Sequence, residues 1–192
     1  MRELIVAEFM SLDGVIQAPG GKDEDTDGGF TQGGWTWPLW HDDIGKHFFE
    51  TLQTADALLL GRKTWQIHGG AFETMQGDPF ADALNAIQKY VVSKTLQDTK
   101  LWRNTQLIES DVVDTVRKLK EAPGKNILMD GSSVLVHTLA EAGLVDEYRL
   151  HVYPLTLGGG KRLFADGRRS DLALVEAKPL PNGVVYMRYR HA

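Results

Sequence analysis

The sequence predicts an α/β fold whose central sheet is mostly parallel and ends in an antiparallel edge near the C-terminus. Short apolar runs such as Ala57 to Leu60 are bounded by glycine or polar residues, which is typical of strands buried on both faces. Segments with apolar residues every three to four positions lie between these runs and predict helices. Two alternating segments near the end, LALVEA and VVYMRYR, are joined without a helix, so we expect them to pair antiparallel.

Composition limits the classes of function. The chain has 192 residues, 42% of them hydrophobic, and we expect residues 1–192 to form one domain. The net charge of −5, without a long basic stripe, argues against nucleic acid as a partner. No cysteine is present, which excludes disulfides, thiolate metal ligands and a cysteine nucleophile. We therefore expect small molecules or copies of the same chain as partners.

The first strand is predicted at the N-terminus, where Leu4 to Met10 is an apolar run. It turns polar at Ser11, which is too short for a signal peptide or a membrane span, so a cytoplasmic location without membrane contact is expected by default. Asp13-Gly14 signals a turn after this strand.

A helix is predicted to begin at Asp42 and Asp43, because carboxylates suit the positive end of a helix dipole. Its inner face is predicted to be Ile44, Phe48, Leu52 and Ala55.

The middle of the chain continues the alternation of strand and helix. Asp78-Pro79 places a capping residue before a proline at the first helical position. The remaining elements follow from the same two patterns. They are a strand at Lys89 to Ser93, a strand at Leu107-Ile108, a helix capped by Ser110, a strand at Asn126 to Asp130, a helix from Ser133 closed by Gly143, and an alternating strand at Glu147 to Tyr153.

The segment from Gln17 to Trp40 is a long loop rich in glycine, acidic residues and tryptophan. Loops of this length inside compact domains are usually functional or disordered. Its segment Asp23 to Gly28 copies the opening of a calcium-binding EF-hand loop, but Gly34 stands where that motif needs a bidentate glutamate. We therefore favour a solvated acidic loop over a calcium site. We also expect the loop to act as a mobile lid whose tryptophans Trp35, Trp37 and Trp40 cover an apolar ligand.

A phosphate site is one interpretation of the residues after the strand at Ala57. Gly61 ends the strand, and Arg62, Lys63 and Thr64 follow at its carboxyl end, where open α/β sheets bind ligands. The planar fork of Arg62 suits two phosphate oxygens, and Lys63 adds a point charge. The alternative, a solvated turn with two surface cations, is equally compatible with so short a motif.

A second junction of strand and helix predicts room for a longer ligand. Gly131, Ser132 and Ser133 follow another buried strand, and two helix N-termini at one sheet edge offer the N–H groups that a pyrophosphate needs. Ser93 and Lys94, at the end of a third strand, are suited to the far end of a dinucleotide. The GxGxxG fingerprint of the Rossmann fold is absent, so a dinucleotide has to be bound in some other way.

Three segments resemble the dihydrofolate reductase-like superfamily, specifically the branch with the reductase domain of the bifunctional riboflavin-biosynthesis deaminase/reductase. They are SLDGVI at Ser11 to Ile16, GRKTW at Gly61 to Trp65, and GLVDEYRLHVYPLTLGGGKRLF at Gly143 to Phe164. The resemblance implies a three-layer dihydrofolate reductase-like α/β fold and a homodimer. It implies NADPH-dependent hydride transfer to a pyrimidine- or pteridine-like heterocycle such as 5-amino-6-(5-phosphoribosylamino)uracil. The residues that it implies for NADPH are Phe9, Val15, Ile16, Gly61, Arg62, Lys63, Thr64, Ser93, Lys94, Gly131, Ser132, Ser133 and Leu135.

The chain also departs from this superfamily at the position of the catalytic acid. Dihydrofolate reductases carry a carboxylate on the first helix, and the matching position here is Gly45, with Asp42 and Asp43 as the nearest acids. These two and Asp13 are the predicted catalytic residues, although Asp13 is equally explained as a turn residue. Glu8 is a further candidate for the proton donor.

Three alternatives therefore stay open at this point. The chain is a reductase of a riboflavin-type heterocycle, a dihydrofolate reductase, or a non-catalytic nucleotide-binding protein of the same fold. The zinc deaminase domain of the bifunctional enzymes is not expected, because the chain has no cysteine for it.

Overall fold

The computed structural model describes residues 1–192, and its regular elements are eight strands and five helices. The strands are β1 (Leu4–Ser11), β2 (Ala55–Gly61), β3 (Gln88–Val92), β4 (Thr105–Ile108), β5 (Asn126–Met129), β6 (Glu147–Tyr153), β7 (Leu172–Pro179) and β8 (Val185–His191). The helices are α1 (Asp42–Gln53), α2 (Arg62–Phe72), α3 (Pro79–Ala86), α4 (Val112–Glu121) and α5 (Ser133–Glu141).

All eight strands belong to one sheet, in the order β4-β3-β2-β5-β1-β6-β8-β7. The strands from β4 to β6 pair in parallel, whereas β8 pairs antiparallel with both β6 and β7. This confirms the mostly parallel sheet with an antiparallel C-terminal edge. Strand β6 is the place where the direction changes, because one of its neighbours is parallel and the other antiparallel.

Helices cover both faces of the sheet and give three layers. On one face α4 and α5 pack on β1, β2 and β5 through residues such as Val116, Leu139 and Met129. On the other face α1, α2 and α3 pack through residues such as Leu52, Trp65 and Leu84. Burial of apolar area on both faces explains why the inner strands read as continuous apolar runs. No helix of this fold is both long enough and apolar enough to cross a membrane.

Several predicted boundaries are confirmed and two are wrong. Helix α1 begins at Asp42 as predicted, and Oδ1 of Asp78 accepts the N–H of Ala81 at 2.8 Å as an N-cap. Ala55, however, begins β2 rather than completing the inner face of α1. The helix predicted to be capped by Ser110 begins at Val112 instead. The residue before it has the left-handed φ of 48°, which favours a short polar side chain, and makes no side-chain cap.

The long loop is well packed against the sheet edge. It forms two short 3-10 turns, and its residues Ala18, Phe30 and Trp35 share a buried cluster with Val15 and Tyr153. Trp35 also donates from Nε1 to the carbonyl of Gln17 at 2.8 Å. The other two tryptophans of the loop remain exposed.

Candidate active-site cleft

A cleft opens where β1 and β5 separate. The two strands pair only as far as Val6 and Met129, whereas β1 continues beside β6 to Ser11. The separation leaves a crevice at the carboxyl ends of the strands, the usual ligand position in open α/β sheets. A cavity of about 420 Å³ fills this crevice. The predicted cofactor residues that line it are Phe9, Ile16, Gly61, Arg62, Lys63, Thr64, Gly131, Ser132, Ser133 and Leu135.

Hydrogen bonds join the two strand-to-helix junctions side by side. Oγ of Ser132 accepts the N–H of Gly61 at 2.8 Å, and Oγ1 of Thr64 accepts the N–H of Ser132 at 3.1 Å. Gly131 has a φ of 54°, and a Cβ there would lie 2.8 Å from Oγ1 of Thr64. Only glycine combines this backbone conformation with so close an approach. The starts of α2 and α5 are therefore held at one wall of the cleft.

Two lysines that line the cleft bind acidic residues of the long loop. Nζ of Lys63 lies 2.7 Å from Asp25 and 2.6 Å from Asp27. Nζ of Lys161 lies 2.6 Å from Asp25 and 2.7 Å from Asp27. These four residues are called the Asp–Lys cluster below. The side chain of Arg62, in contrast, is exposed at the cleft and makes no hydrogen bond or ion pair within the protein.

The pKa values of the two aspartates reflect these contacts. Burial by itself raises the pKa of Asp25, but hydrogen bonds from Lys161 and Lys63 outweigh it and hold the pKa below its usual value. Hydrogen bonds from the same two lysines lower the pKa of Asp27 to about 2. Both carboxylates are consequently ionised at neutral pH, where they neutralise Lys63 and Lys161.

A second group of ionisable residues lies deeper in the cleft. Glu8 is on β1, Asp130 follows β5, and His68 is on α2; all three line the cavity. Oδ2 of Asp130 lies 2.9 Å from Nε2 of His68. Burial alone lowers the pKa of His68, but the charge and the hydrogen bond of Asp130 raise it above the usual value. The contact with Asp130 therefore stabilises the protonated form of His68.

The predicted catalytic residue Asp13 lies outside the cavity lining. Its carboxylate accepts the hydroxyl of Ser11 at 2.6 Å and the N–H groups of Leu157 and Gly158 at 3.0 and 2.7 Å. The hydrogen bond from Ser11 is the main reason that the pKa of Asp13 falls to about 2. In this position Asp13 ties the turn after β1 to the glycine-rich segment after β6.

The other two predicted catalytic residues, Asp42 and Asp43, form the first turn of α1 and do not line the cavity either. The helix position that matches the folate-enzyme carboxylate is covered by an indole: Cζ2 of Trp40 lies 3.4 Å from where a Cβ on Gly45 would be. Next to it, the rings of Phe9 and Phe48 stack with their centroids 5.2 Å apart. This end of the cleft is aromatic where the folate enzymes are acidic.

Three predicted cofactor residues also lie outside the cavity lining. Val15 is buried in the cluster under the long loop. Oγ of Ser93 accepts the N–H groups of Thr95 and Leu96 at 3.1 and 3.0 Å, which closes a local turn. Lys94 is exposed beside that turn.

Sequence reasoning missed Asp130, His68 and Lys161 as residues of the cleft. Asp130 ends the NILMD run, and the rule applied to Arg62, that polar residues after a buried strand face the ligand edge, would have selected it. His68 lies one helical turn after Thr64 and so shares its face of α2. Lys161 carried no comparable signal, because its partners are in the loop before α1.

Comparison with known proteins identifies the family of this chain. The family model for the RibD C-terminal domain matches residues 2–186. The uncharacterized protein YyaP of Bacillus subtilis (strain 168) is 31% identical over 194 residues, covering 98% of this chain and 94% of that protein.

Two solved structures show the same fold. A putative riboflavin biosynthesis protein from Shewanella sp. PV-4 has a TM-score of 0.76 at 20% identity and covers 99% of both chains. A dihydrofolate reductase from Enterococcus faecalis complexed with NADP(H) has a TM-score of 0.64 at 18% identity, covering 98% of this chain and 96% of that one. The dihydrofolate reductase-like fold is thus confirmed. On the family match and the fold together, this chain belongs to the RibD C-terminal domain family.

Proposed function

We propose that this protein is an NADPH-dependent reductase that transfers hydride to a pyrimidine- or pteridine-like heterocycle. The observation that carries the proposal is the cleft itself. It places two helix N-termini and the free guanidinium of Arg62 on the wall of α2 and α5, and the aromatic rings of Phe9 and Phe48 on the wall of β1 and α1. One end thus suits phosphates and the other suits a flat ring.

The donors on the first wall fit the phosphates of a dinucleotide. Arg62 has the planar fork that binds phosphate oxygens in pairs, and the starts of α2 and α5 lie side by side. Phe9, Ile16 and Leu135 supply the apolar surface that a nicotinamide ring requires. When bound, NADPH would supply the hydride, while the chain orients the two rings and keeps water away from them. The NADP(H) bound by the Enterococcus reductase, which shares this fold, supports the same choice of cofactor.

The substrate end favours a riboflavin-type pyrimidine over dihydrofolate. Gly45 stands at the matching helix position, so the carboxylate by which folate enzymes hold the pteridine has no counterpart here, and Trp40 packs against α1 at that position. Phe9 and Phe48 remain available for stacking. We propose a heterocycle of the class of 5-amino-6-(5-phosphoribosylamino)uracil, in keeping with the family of this chain.

The test combines a binding titration with an activity panel. NADPH and NADH are titrated into the protein by fluorescence. NADPH consumption is then followed with 5-amino-6-(5-phosphoribosylamino)uracil and with dihydrofolate. We expect tight binding of NADPH and oxidation with the uracil compound. Oxidation with dihydrofolate alone would favour the folate alternative, and binding without any oxidation would favour a non-catalytic nucleotide-binding protein.

A further inference from the structure

Glu8 is a buried carboxyl in the cleft with one oxygen that nothing in the protein binds. It lies on β1 between Ala7 and Phe9, lines the cavity and is 4% exposed. Its Oε1 has no hydrogen-bond partner. Buried polar atoms are almost always paired, so an unpaired carboxyl oxygen on a residue that lines a cavity points to a function.

Asp130 repeats this feature on the opposite wall. Its Oδ1 is also buried without a partner, whereas Oδ2 is held by His68 at 2.9 Å. Burial, and then the negative charge of Asp130, raise the pKa of Glu8 well above its usual value, against a smaller opposite effect of the N–H of Gly131. A carboxyl in such a setting keeps its proton to a higher pH than an ordinary glutamate.

The other charged side chains that line the cleft either form ion pairs or hydrogen bonds within the protein or are exposed. Lys63, Lys161 and Asp25 bind one another in the Asp–Lys cluster. Oε2 of Glu24 accepts the N–H groups of Gly20 and Gly21 at 2.7 and 2.8 Å. The last of these groups, Arg62, is exposed. The hydrogen-bonded pair of Asp130 and His68 is therefore the setting in which Glu8 gains and loses its proton.

We infer that Glu8 is the catalytic residue that protonates the hydride acceptor, and that Asp130 and His68 are positioning residues for that proton. The inference rests on the proposed function. As the acceptor's C=N or C=O carbon gains the hydride, the π pair of that bond moves to the nitrogen or oxygen, which takes the proton from Glu8. Glu8 becomes a carboxylate, and bound NADPH, which would supply the hydride, would be left as NADP⁺. Water then returns the proton past His68, whose side chain is 19% exposed.

The kinetic test replaces Glu8 with glutamine, which keeps the shape of the side chain and removes its acid. We expect single-turnover hydride transfer to the uracil compound to slow by about 10²–10⁴-fold, the usual contribution of a placed acid, with NADPH affinity unchanged. In the wild type, the rate of hydride transfer should fall as the pH rises through the pKa of Glu8. In Glu8→Gln the rate should no longer show this fall. Glu50→Gln, the same change at an exposed position of α1, is the matched control.

A spectroscopic test needs no turnover. The infrared difference between wild type and Glu8→Gln, each saturated with NADP⁺ at neutral pH, should contain the C=O band of a protonated carboxyl. An ionised Glu8 would overturn the inference, because an ionised carboxylate has no proton to donate. In Asp130→Asn, the rate of hydride transfer should fall at a lower pH than in the wild type, since the substitution removes the charge that raises the pKa of Glu8. If Glu8→Gln folds poorly, this shift in the pH profile of Asp130→Asn provides the test of the role of Glu8.

The outcomes separate the inference from the proposed function. If NADPH binds and no acceptor is reduced, both fail. If the uracil compound is reduced equally fast by Glu8→Gln, only the role of Glu8 fails. If the fall of the rate with rising pH is instead absent from one of three aspartate variants, Asp13→Asn, Asp42→Asn or Asp43→Asn, the proton comes from that aspartate and not from Glu8.

Discussion

Arg62 is the exposed cation of the cleft that no acid of the protein neutralises, so it is the residue on which cofactor phosphate recognition should depend. We predict that Arg62→Ala weakens NADPH binding by about 1.5–3 kcal/mol, the usual value of a hydrogen bond to a charged group. NADH should lose much less, because it lacks the extra phosphate. Titrations of both cofactors measure this.

Arg117→Ala serves as the control for that change, because Arg117 is exposed on α4 and does not line the cavity. An equal loss of affinity for NADPH and NADH in Arg62→Ala would show that Arg62 does not recognise the extra phosphate.

Gly131 lies where the strand-to-helix junctions before α2 and α5 meet. Its backbone conformation and the close approach of Thr64 both require glycine. Gly131→Ala would place a methyl 2.8 Å from Thr64 at a φ of +54°. We predict a loss of about 1–3 kcal/mol in the free energy of unfolding, measured in urea. Gly143→Ala separates the two causes, since Gly143 has a φ of +67° with no atom within 4 Å of the added methyl. Equal losses in the two variants would mean that contact with Thr64 contributes nothing.

At the scale of the element, the long loop is held to α2 and to the segment after β6 by the Asp–Lys cluster. Asp25 and Asp27 of the loop share Lys63 and Lys161. We predict that Lys161→Met speeds cleavage of residues 23–29 by a glutamate-specific endoproteinase. Arg162→Met, at the exposed neighbouring position, should leave the rate unchanged.

The lid hypothesis makes a ligand-dependent prediction for the same digestion. NADPH and substrate should slow cleavage, because the loop borders the cleft through Asp25. Protection by calcium in place of NADPH would contradict this and favour the EF-hand interpretation.

The Asp–Lys cluster should also respond to acid. The pKa of Asp27 is lowered in the folded chain from its ordinary 3.8 to about 2, so the stabilisation of the loop is complete above 3.8 and is lost as the pH falls to about 2. Acrylamide quenching of the buried Trp35 of the loop should therefore increase over this interval while far-UV circular dichroism is unchanged. Quenching that stays constant across the interval would show that these ion pairs do not hold the loop.

At the scale of the whole molecule, β7 is an edge strand of the sheet, and every residue of it after Leu172 is exposed. Leu174 and Val175 on this strand are 56% and 48% exposed. Apolar side chains on an exposed strand edge favour pairing with a second copy, so we predict a homodimer through β7. Light scattering at micromolar concentration should give twice the chain mass, and Leu174→Glu should lower it toward the monomer.

The same substitution at another exposed leucine, Leu101→Glu, is the control for the predicted dimer. A monomer mass for the wild-type protein at micromolar concentration would rule out the dimer.

The alternating pattern of β6 does not reveal that both faces of this strand are mostly buried. EYRLHVY reads as a strand with one solvated face, but Glu147 and His151 on its polar side are buried. Both Oε atoms of Glu147 are bound by arginines, including Arg149 and Arg188. Alternation shows which residues share a face of a strand, while the neighbouring elements decide whether that face is buried.

The sequence by itself determined the succession of strands and helices and the edge at which ligands bind, because periodicity is a local property and the carboxyl ends of parallel strands share one edge. It therefore placed Arg62 and Ser132 together at the cleft. Only the tertiary structure decided which distant side chains meet there. His68 and Asp130 are 62 positions apart and Lys63 and Asp25 are 38 apart, and such contacts depend on strand order and register, for which no local pattern exists.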